Sequence, residues 1–369
     1  MCSLGKYSLN KLHEANYDKY FKYGNIFKEE FKKGVPLLQL YNPEDFLTVI
    51  RNQGKCPVRP PHEATYHYRR SNPEDYKSVG LVNAQGEEWQ NLRNAVSPFM
   101  LDLNVMKGYL PQQNEVCEDF IAFTCAKYIK EAMHRTKNRP HNTERMRTVL
   151  ESLVSLSSKE INSKDVTMTL IDFMVAGIDT VSNSLTYVFN ELAKHQSVQQ
   201  KLWEEINRIL PNRKEFTSAD LNNLPYLNAT MKEVFRISPT IPGVVRVTQK
   251  EHFLCGYEIP KNTVVFCHSM VASKLKENFN DPDAFMPERW LRDTNRHKTK
   301  AYSVLPFGFG ARMCIGRRFA EQEMKTTIVK VMQNFRIEFA NKSDPPIGQV
   351  YRFLVVPDKE LNIKLVNRN

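Results

Sequence analysis

The stretch LPFGFGARMCIGRRFAE, residues 305–321, limits what this chain can fold into more than any other. It sets Cys314 between Gly310 and Gly316, with Arg312 before it and Arg317 and Arg318 after it. A turn that opens a helix offers backbone amides to a thiolate, and the helix dipole lowers the thiol pKa. Gly310 allows a backbone shape closed to residues that carry a Cβ, and Gly316 lets a flat ligand lie close to the chain. Arg312 can pair with a carboxylate. The residue types leave two readings: a metal-ligating thiolate shielded from bulk water, or an ordinary buried cysteine in a turn.

The surrounding pattern is mostly helical. VPLLQLY at 35–41 reads as a strand, and NPEDFLTVIRN after it as a short helix capped by asparagine. CPVRPP at 56–61 is stiffened by proline and extended. Trp89, Leu92 and Val96 recur at helical spacing, and a further helix is expected from about 113 to 137. The longest helix runs from about 158 to 196. It starts at Ser158 or Ser163, with Leu170, Phe173, Met174, Gly177 and Val181 on one face. Helices follow at 198–210 and 227–238, the second stopped by Pro239. Alternation then predicts short strands over 244–268 with turns at Gly256 and at Lys261–Asn262. A helix after Cys314 and strands near 335–340 and 361–366 complete one domain over residues 1–369, mainly α with a small β region.

Composition removes several alternatives. The seven cysteines, at 2, 56, 117, 125, 255, 267 and 314, form no CxxC, which favours a reduced compartment over a disulfide framework. The histidines form no HExxH. A net charge of +11 favours acidic partners. Nucleic acid is the weaker option, because no zinc-finger spacing, RNA-recognition signature or long basic run accompanies the charge. No apolar run reaches membrane-spanning length. The first residues show neither a signal peptide nor an arginine-rich transit peptide; the first arginine is Arg51.

Phe307, Gly310, Arg312, Cys314 and Gly316 give the spacing F-x-x-G-x-R-x-C-x-G. This resembles the haem-binding loop of the cytochrome P-450 family of haem-thiolate monooxygenases. The resemblance implies a haem b cofactor (iron protoporphyrin IX) with Cys314 as the axial ligand of its iron. Phe307 would pack near the sulfur and Arg312 would pair with a haem propionate. Trp89 and Arg93, four apart in WQNLR, and Arg246 in GVVRV match further propionate contacts. MKEVFR supplies Glu233 and Arg236, and FMPERW supplies Arg289. Together they match the family's buried Glu-Arg-Arg network, a scaffold rather than a catalytic group. MVAGIDTVSN at 174–183 resembles the oxygen-binding helix. Gly177 would leave room over the porphyrin, and Asp179 and Thr180 would deliver the protons that break the O–O bond. Ile241, Val244 and Val245 lie where the family lines its substrate pocket.

KCPVRPP, GLVNAQGEEWQNLRNAV and CIGRRFAEQEM resemble the mitochondrial branch. That implies electrons from an acidic [2Fe–2S] ferredoxin fed by an NADPH-ferredoxin reductase, docked on Lys232, Arg317 and Arg318. Asn228 stands where a lysine of that surface is expected. It also implies an apolar, sterol-like or lipid-like substrate, dioxygen as oxidant, and the matrix face of the inner mitochondrial membrane, with room for a peripheral membrane contact. The family order breaks between CEDFIAF and AKYIKEAMHR, near 119–126. The E and F helices and the start of the G helix, which roof the family's substrate pocket, have no counterpart there. A site so opened to water would leak electrons to peroxide instead of hydroxylating. A haem-binding but catalytically silent form is the alternative.

Overall fold

The computed structural model describes residues 7–124, 163–291, 300, 302–341 and 344–368. The elements in chain order are α1 (Leu12–Tyr23), β1 (Ile26–Lys32), β2 (Val35–Leu40), α2 (Pro43–Arg51), α3 (Glu63–Ser71), α4 (Gly86–Leu101) and α5 (Leu103–Thr124). After residues 125–162 come α6 (Ser163–Lys194), α7 (Gln196–Ile209), α8 (Ser218–Asn222) and α9 (Pro225–Ile237). Next stand β3 (Val244–Val247), β4 (His252–Leu254), β5 (Tyr257–Ile259), β6 (Val264–Cys267) and α10 (Ser269–Ala272). The chain closes with α11 (Arg317–Asn334), β7 (Phe335–Phe339), β8 (Gln349–Arg352), β9 (Leu354–Pro357) and β10 (Ile363–Asn367).

The largest core joins α6, α7, α9, α11 and β7. Leu192, Leu202, Ile206, Leu227, Val234 and Met332 are fully enclosed there. Gln199 ties this core to the small β part. Its amide donates to the Leu192 and Ile337 carbonyls at 2.8 and 2.9 Å and accepts from the Ile337 N–H at 2.8 Å. A second core lies under a four-stranded sheet of order β1-β2-β6-β3, in which only β2 and β6 run parallel. A third surrounds Trp89 and draws in Phe173 of α6 and Ile315 of the cysteine turn.

Asn42 caps α2 by accepting the Glu44 N–H at 3.2 Å, and Gly256 and Asn262 take positive φ in their turns as the residue types require. Other elements differ from the sequence expectation. The charged start carries α1 and β1. Their polar residues sit on a helix surface and an edge strand, held by the aromatic contacts of Tyr20 and Phe27 with Tyr41 and by the Lys19–Glu29 ion pair at 2.6 Å. α3 carries no apolar stripe and was not anticipated; the loop after it folds back through Arg69. α5 begins at Leu103, not near 113, because the Asp102 carboxylate accepts the Asn104 and Val105 N–H groups and caps a helix there. The β8–β9 hairpin turns on Phe353, at φ +68°, with no glycine to announce it. The expected break near 119–126, the Ser158 cap and the far end of the 113–137 helix run into residues outside the described ones.

Arg69 of α3 and Asp172 of α6 form a buried ion pair at 2.7 Å, and Arg69 also donates to the Val79 carbonyl. Gly80 sits at φ +82°, and a Cβ there would lie 2.4 Å from both partners of the pair. Gly80→Ala is therefore expected to cost about 1–3 kcal/mol from backbone strain and the displaced pair. A urea denaturation midpoint checks this, and an unchanged midpoint would show that the loop has room.

Candidate haem-thiolate site

The cysteine turn is built by its own backbone. The Cys314 N–H donates to the Phe307 carbonyl at 2.9 Å, Met313 to Gly310 at 2.9 Å, and Ala320 to Gly316 at 2.9 Å as α11 begins. Gly308 and Gly310 take φ +68° and +76°, and a Cβ on Gly310 would come within 3.1 Å of Ile50. Gly316 has an ordinary φ of −85°, and an added Cβ would meet Cys314 Sγ and Met100 Cε only at 4.0 Å. Its place is thus not forced by backbone shape. The Phe307 ring stands edge-on to Phe235 at 5.6 Å.

Cys314 is exposed by surface area, so a ligand can reach the sulfur. The walls of the turn nonetheless crowd it. That loss of water pushes its thiol pKa up, while the Gly316 amide and the Arg93 and Arg317 guanidiniums oppose the rise. The two observations agree if the thiol faces a cleft rather than bulk solvent.

Beside it, four arginines converge. Arg312 donates to the Pro57 and Ala84 carbonyls at 2.8 and 2.7 Å and to the Gln85 side chain at 3.0 Å. It lies 4.2 Å over the Trp89 ring. Arg246 donates to the Val245 carbonyl at 2.8 Å, and Arg59 to the Val82 carbonyl at 2.6 Å. Burial first, and then Arg59, Arg246 and Arg93, bring Arg312 down to about 9; burial and Arg59 bring Arg246 to about 10. Arg93 is lowered by burial and by Arg59, against the Cys314 charge. Among the described residues none of the four forms an ion pair, and Arg312 Nη1 and Arg246 Nε are buried with no partner. Crowded cations with orphaned donors call for an anion, so the residues present fit a dianionic, propionate-bearing haem. Arg59 escaped the sequence reading. Its only signal was a lone arginine within the proline-stiffened KCPVRPP.

On α6, the Thr180 hydroxyl donates to the Ala176 carbonyl at 2.8 Å, and Gly177 has nothing within 4 Å of an added Cβ. Phe173 and Ile315 share one cluster, and Val181 and Phe307 pack on another, so α6 spans the same region as the cysteine turn. Of the residues expected on one face of α6, Phe173 and Val181 are half-buried while Gly177 is exposed. Met174 is 63% exposed, and its neighbours Val175 and Ile178 are 69% and 62% exposed. Asp179 is exposed and lines an open cleft of about 640 Å³ with Asn183, Thr186, Arg352 and Lys359. Val244 is buried where β3 pairs with β6, while Val245 and Ile241 are half-buried.

Glu233, Arg236 and Arg289 are brought together with fully buried side chains. Glu233 accepts Arg236 at 3.0 and 2.8 Å, Arg289 at 2.9 Å, the Met286 N–H at 3.0 Å and the Trp290 indole at 2.8 Å. Lys232 lies on the exposed side of α9 with its ammonium 5.9 Å over the Trp290 ring. Arg317 is exposed at the start of α11 and pairs with Glu321, while Arg318 is half-buried.

The mostly helical fold with small sheets, and a cysteine turn opening a helix beside an arginine cluster, define a haem-thiolate architecture. The cytochrome P450 family model matches residues 113–365. The chain belongs to the cytochrome P450 family, whose members are monooxygenases, and it resembles members of the mitochondrial branch. It is 29% identical to Cytochrome P450 302a1, mitochondrial, of Drosophila melanogaster, over 98% of this chain and 90% of that one. It is 26% identical to Ecdysone 20-monooxygenase of the same fly, over 98% and 84%. It is 27% identical to Cytochrome P450 CYP12A2 of Musca domestica, over 94% and 83%. Among the described residues no helix is long and apolar enough to cross a membrane.

Proposed function

We propose that this chain is a mitochondrial monooxygenase holding haem b. It would insert one oxygen atom from dioxygen into a C–H bond of an apolar, sterol-like or lipid-like molecule. The observation that carries the reading is the reachable Cys314 thiol beside arginines with orphaned donors. Arg59, Arg93, Arg246, Arg312 and Trp89 would hold the propionates, and Cys314 would ligate the iron. When bound, haem supplies the activation of dioxygen. The chain's own residues do the rest. Phe307 and the Gly316 amide shield and hydrogen-bond the sulfur side. Gly177 leaves space on the opposite side. The Thr180 hydroxyl, already paired to a helix carbonyl, can pass a proton by rotating, with Asp179 one residue away in contact with solvent. Arg59→Gln should weaken haem retention about tenfold, the loss of one charge-assisted hydrogen bond. Titration of the apo chain with haemin reads it; unchanged retention removes Arg59 from the site.

Electrons would come from an acidic [2Fe–2S] ferredoxin and its NADPH-dependent reductase, at the matrix face of the inner membrane. Relatives named as mitochondrial and the basic surface of Lys232, Arg317 and Arg318 support this. The relative named for ecdysone supports a sterol substrate. We also infer one domain over 1–369 that lacks part of the family's distal roof. The first alignment runs over 446 positions while covering 98% of a 369-residue chain, so it contains gaps on this side. The exposed Met174, Val175 and Ile178 favour a second reading, a haem binder that does not turn over. Product formation from a sterol panel with ferredoxin, reductase and NADPH tests the first. Consumption of NADPH with release of peroxide and no product selects the second.

A further inference from the structure

The proximal surface holds an internal contact that competes with the proposed partner. Arg317 is the most outward cation of that surface next to the cysteine turn. Its Nε donates to Glu321 Oε1 at 2.9 Å, one helical turn on, with the two side chains 45% and 30% exposed. Its Nη1 reaches the Met313 sulfur at 3.7 Å, and the guanidinium lies 5.7 Å over the Phe307 ring. One face is therefore seated on the turn, and the Nε–H is already taken by a carboxylate. Lys325 is half-buried on the same helix, and its ammonium responds to Glu321, Arg317 and Lys232 after burial itself. Arg317 pairs with this glutamate, and Lys325 lies one helical turn beyond it. Glu321 and Arg317 also act in opposite senses on Cys314.

We infer that Glu321 occupies Arg317 as a stand-in for a carboxylate of the acidic redox partner, so that docking must first displace it. The inference rests on the ferredoxin reading above. An incoming carboxylate would take the Nε–H of Arg317, and Glu321 would swing to Lys325. Nothing covalent changes. The exchange trades one exposed ion pair for another, so the effect on affinity is modest. It gives selectivity: only a partner presenting a carboxylate at that point recovers the pair that is lost.

The experiment is a binding titration of an acidic mitochondrial-type [2Fe–2S] ferredoxin against the haem-loaded chain at low and high salt. Four forms are compared: the natural chain, Glu321→Gln, Arg317→Gln and the double variant. Glu321→Gln should bind about three- to fivefold tighter, in line with an exposed pair. Arg317→Gln should bind more weakly by a similar factor. In the Arg317→Gln background, Glu321→Gln should change nothing. An equal gain in both backgrounds would mean that Glu321 acts only through the general field, and the stand-in role falls. Binding weakened by Arg317→Gln but untouched by Glu321→Gln also removes that role and leaves the partner standing. A ferredoxin that binds none of the four forms removes the partner and the role together.

Discussion

Cys314→Ala should fold and lose thiolate ligation altogether. The Cys314 side chain is exposed and packs in no core cluster. The bond that shapes the turn runs from its main-chain N–H to the Phe307 carbonyl, which alanine keeps. A buried structural thiol would behave in the opposite way, leaving a cavity that costs stability. Compared without haem, the variant's denaturation midpoint should therefore match the natural chain's, within the few tenths of a kcal/mol usual for a surface change. Its spectrum should differ completely. The reduced, carbon-monoxide-treated natural chain should show a thiolate-type Soret band, and the variant none. A band that survives the substitution would mean that another residue binds the iron. A large drop in the stability of the haem-free chain would restore the ordinary-cysteine reading. Either result would undo the site.

The cysteine turn was legible because its chemistry needs unusual backbone. A thiolate at a helix start demands glycines at fixed offsets, and Gly310 shows why: positive φ, with Ile50 closing the space a side chain would fill. The amphipathic helices were legible for the same kind of reason: α7 buries one periodic stripe, while α9 is buried on nearly every side. What could not be read depends on distant partners. Arg59 is one arginine in a proline-rich loop until Val82, Arg312 and Arg246 are seen around it. Arg69 looks like a solvated helix charge until Asp172 arrives from α6, about a hundred residues on. Phe353 carries a positive φ that no local residue choice predicts. The face of α6 shows the limit of a pattern: periodicity says which residues share a side and not whether anything covers it, and Met174 on that side is exposed while Phe173 and Val181 are half-buried. Charge patterning had the same limit: it marked Arg317 as a docking residue without showing that Glu321 already holds it.

Glu233→Gln should be among the most destabilising single changes in the chain, at about 3–5 kcal/mol. The carboxylate takes five hydrogen bonds, from two guanidiniums, an indole and a main-chain amide, with no water contact. Glutamine keeps the shape but removes the charge, and its amide N–H would point at a donor. Arg236 and Arg289 would keep their carbonyl partners, Ser273, Pro282 and Ala284 for one, Asn280 and Asp281 for the other. They would then be two buried cations with no counter-charge, which carbonyl dipoles offset only partly. Against a total stability of roughly 5–15 kcal/mol for a domain, such a loss leaves little margin. The contrast lies within the same protein. Arg317–Glu321 is also an arginine–glutamate pair at 2.9 Å, yet it is exposed, and its removal should cost less than about 1 kcal/mol. Urea denaturation of Glu233→Gln beside Glu321→Gln compares the two directly. The network pins residues 280–290, which lead toward the cysteine turn, so haem retention should fall with stability in the first variant and hold in the second. Equal and small losses in both would mean that the buried triad is no more than two arginines bonded to loop carbonyls, with the glutamate dispensable.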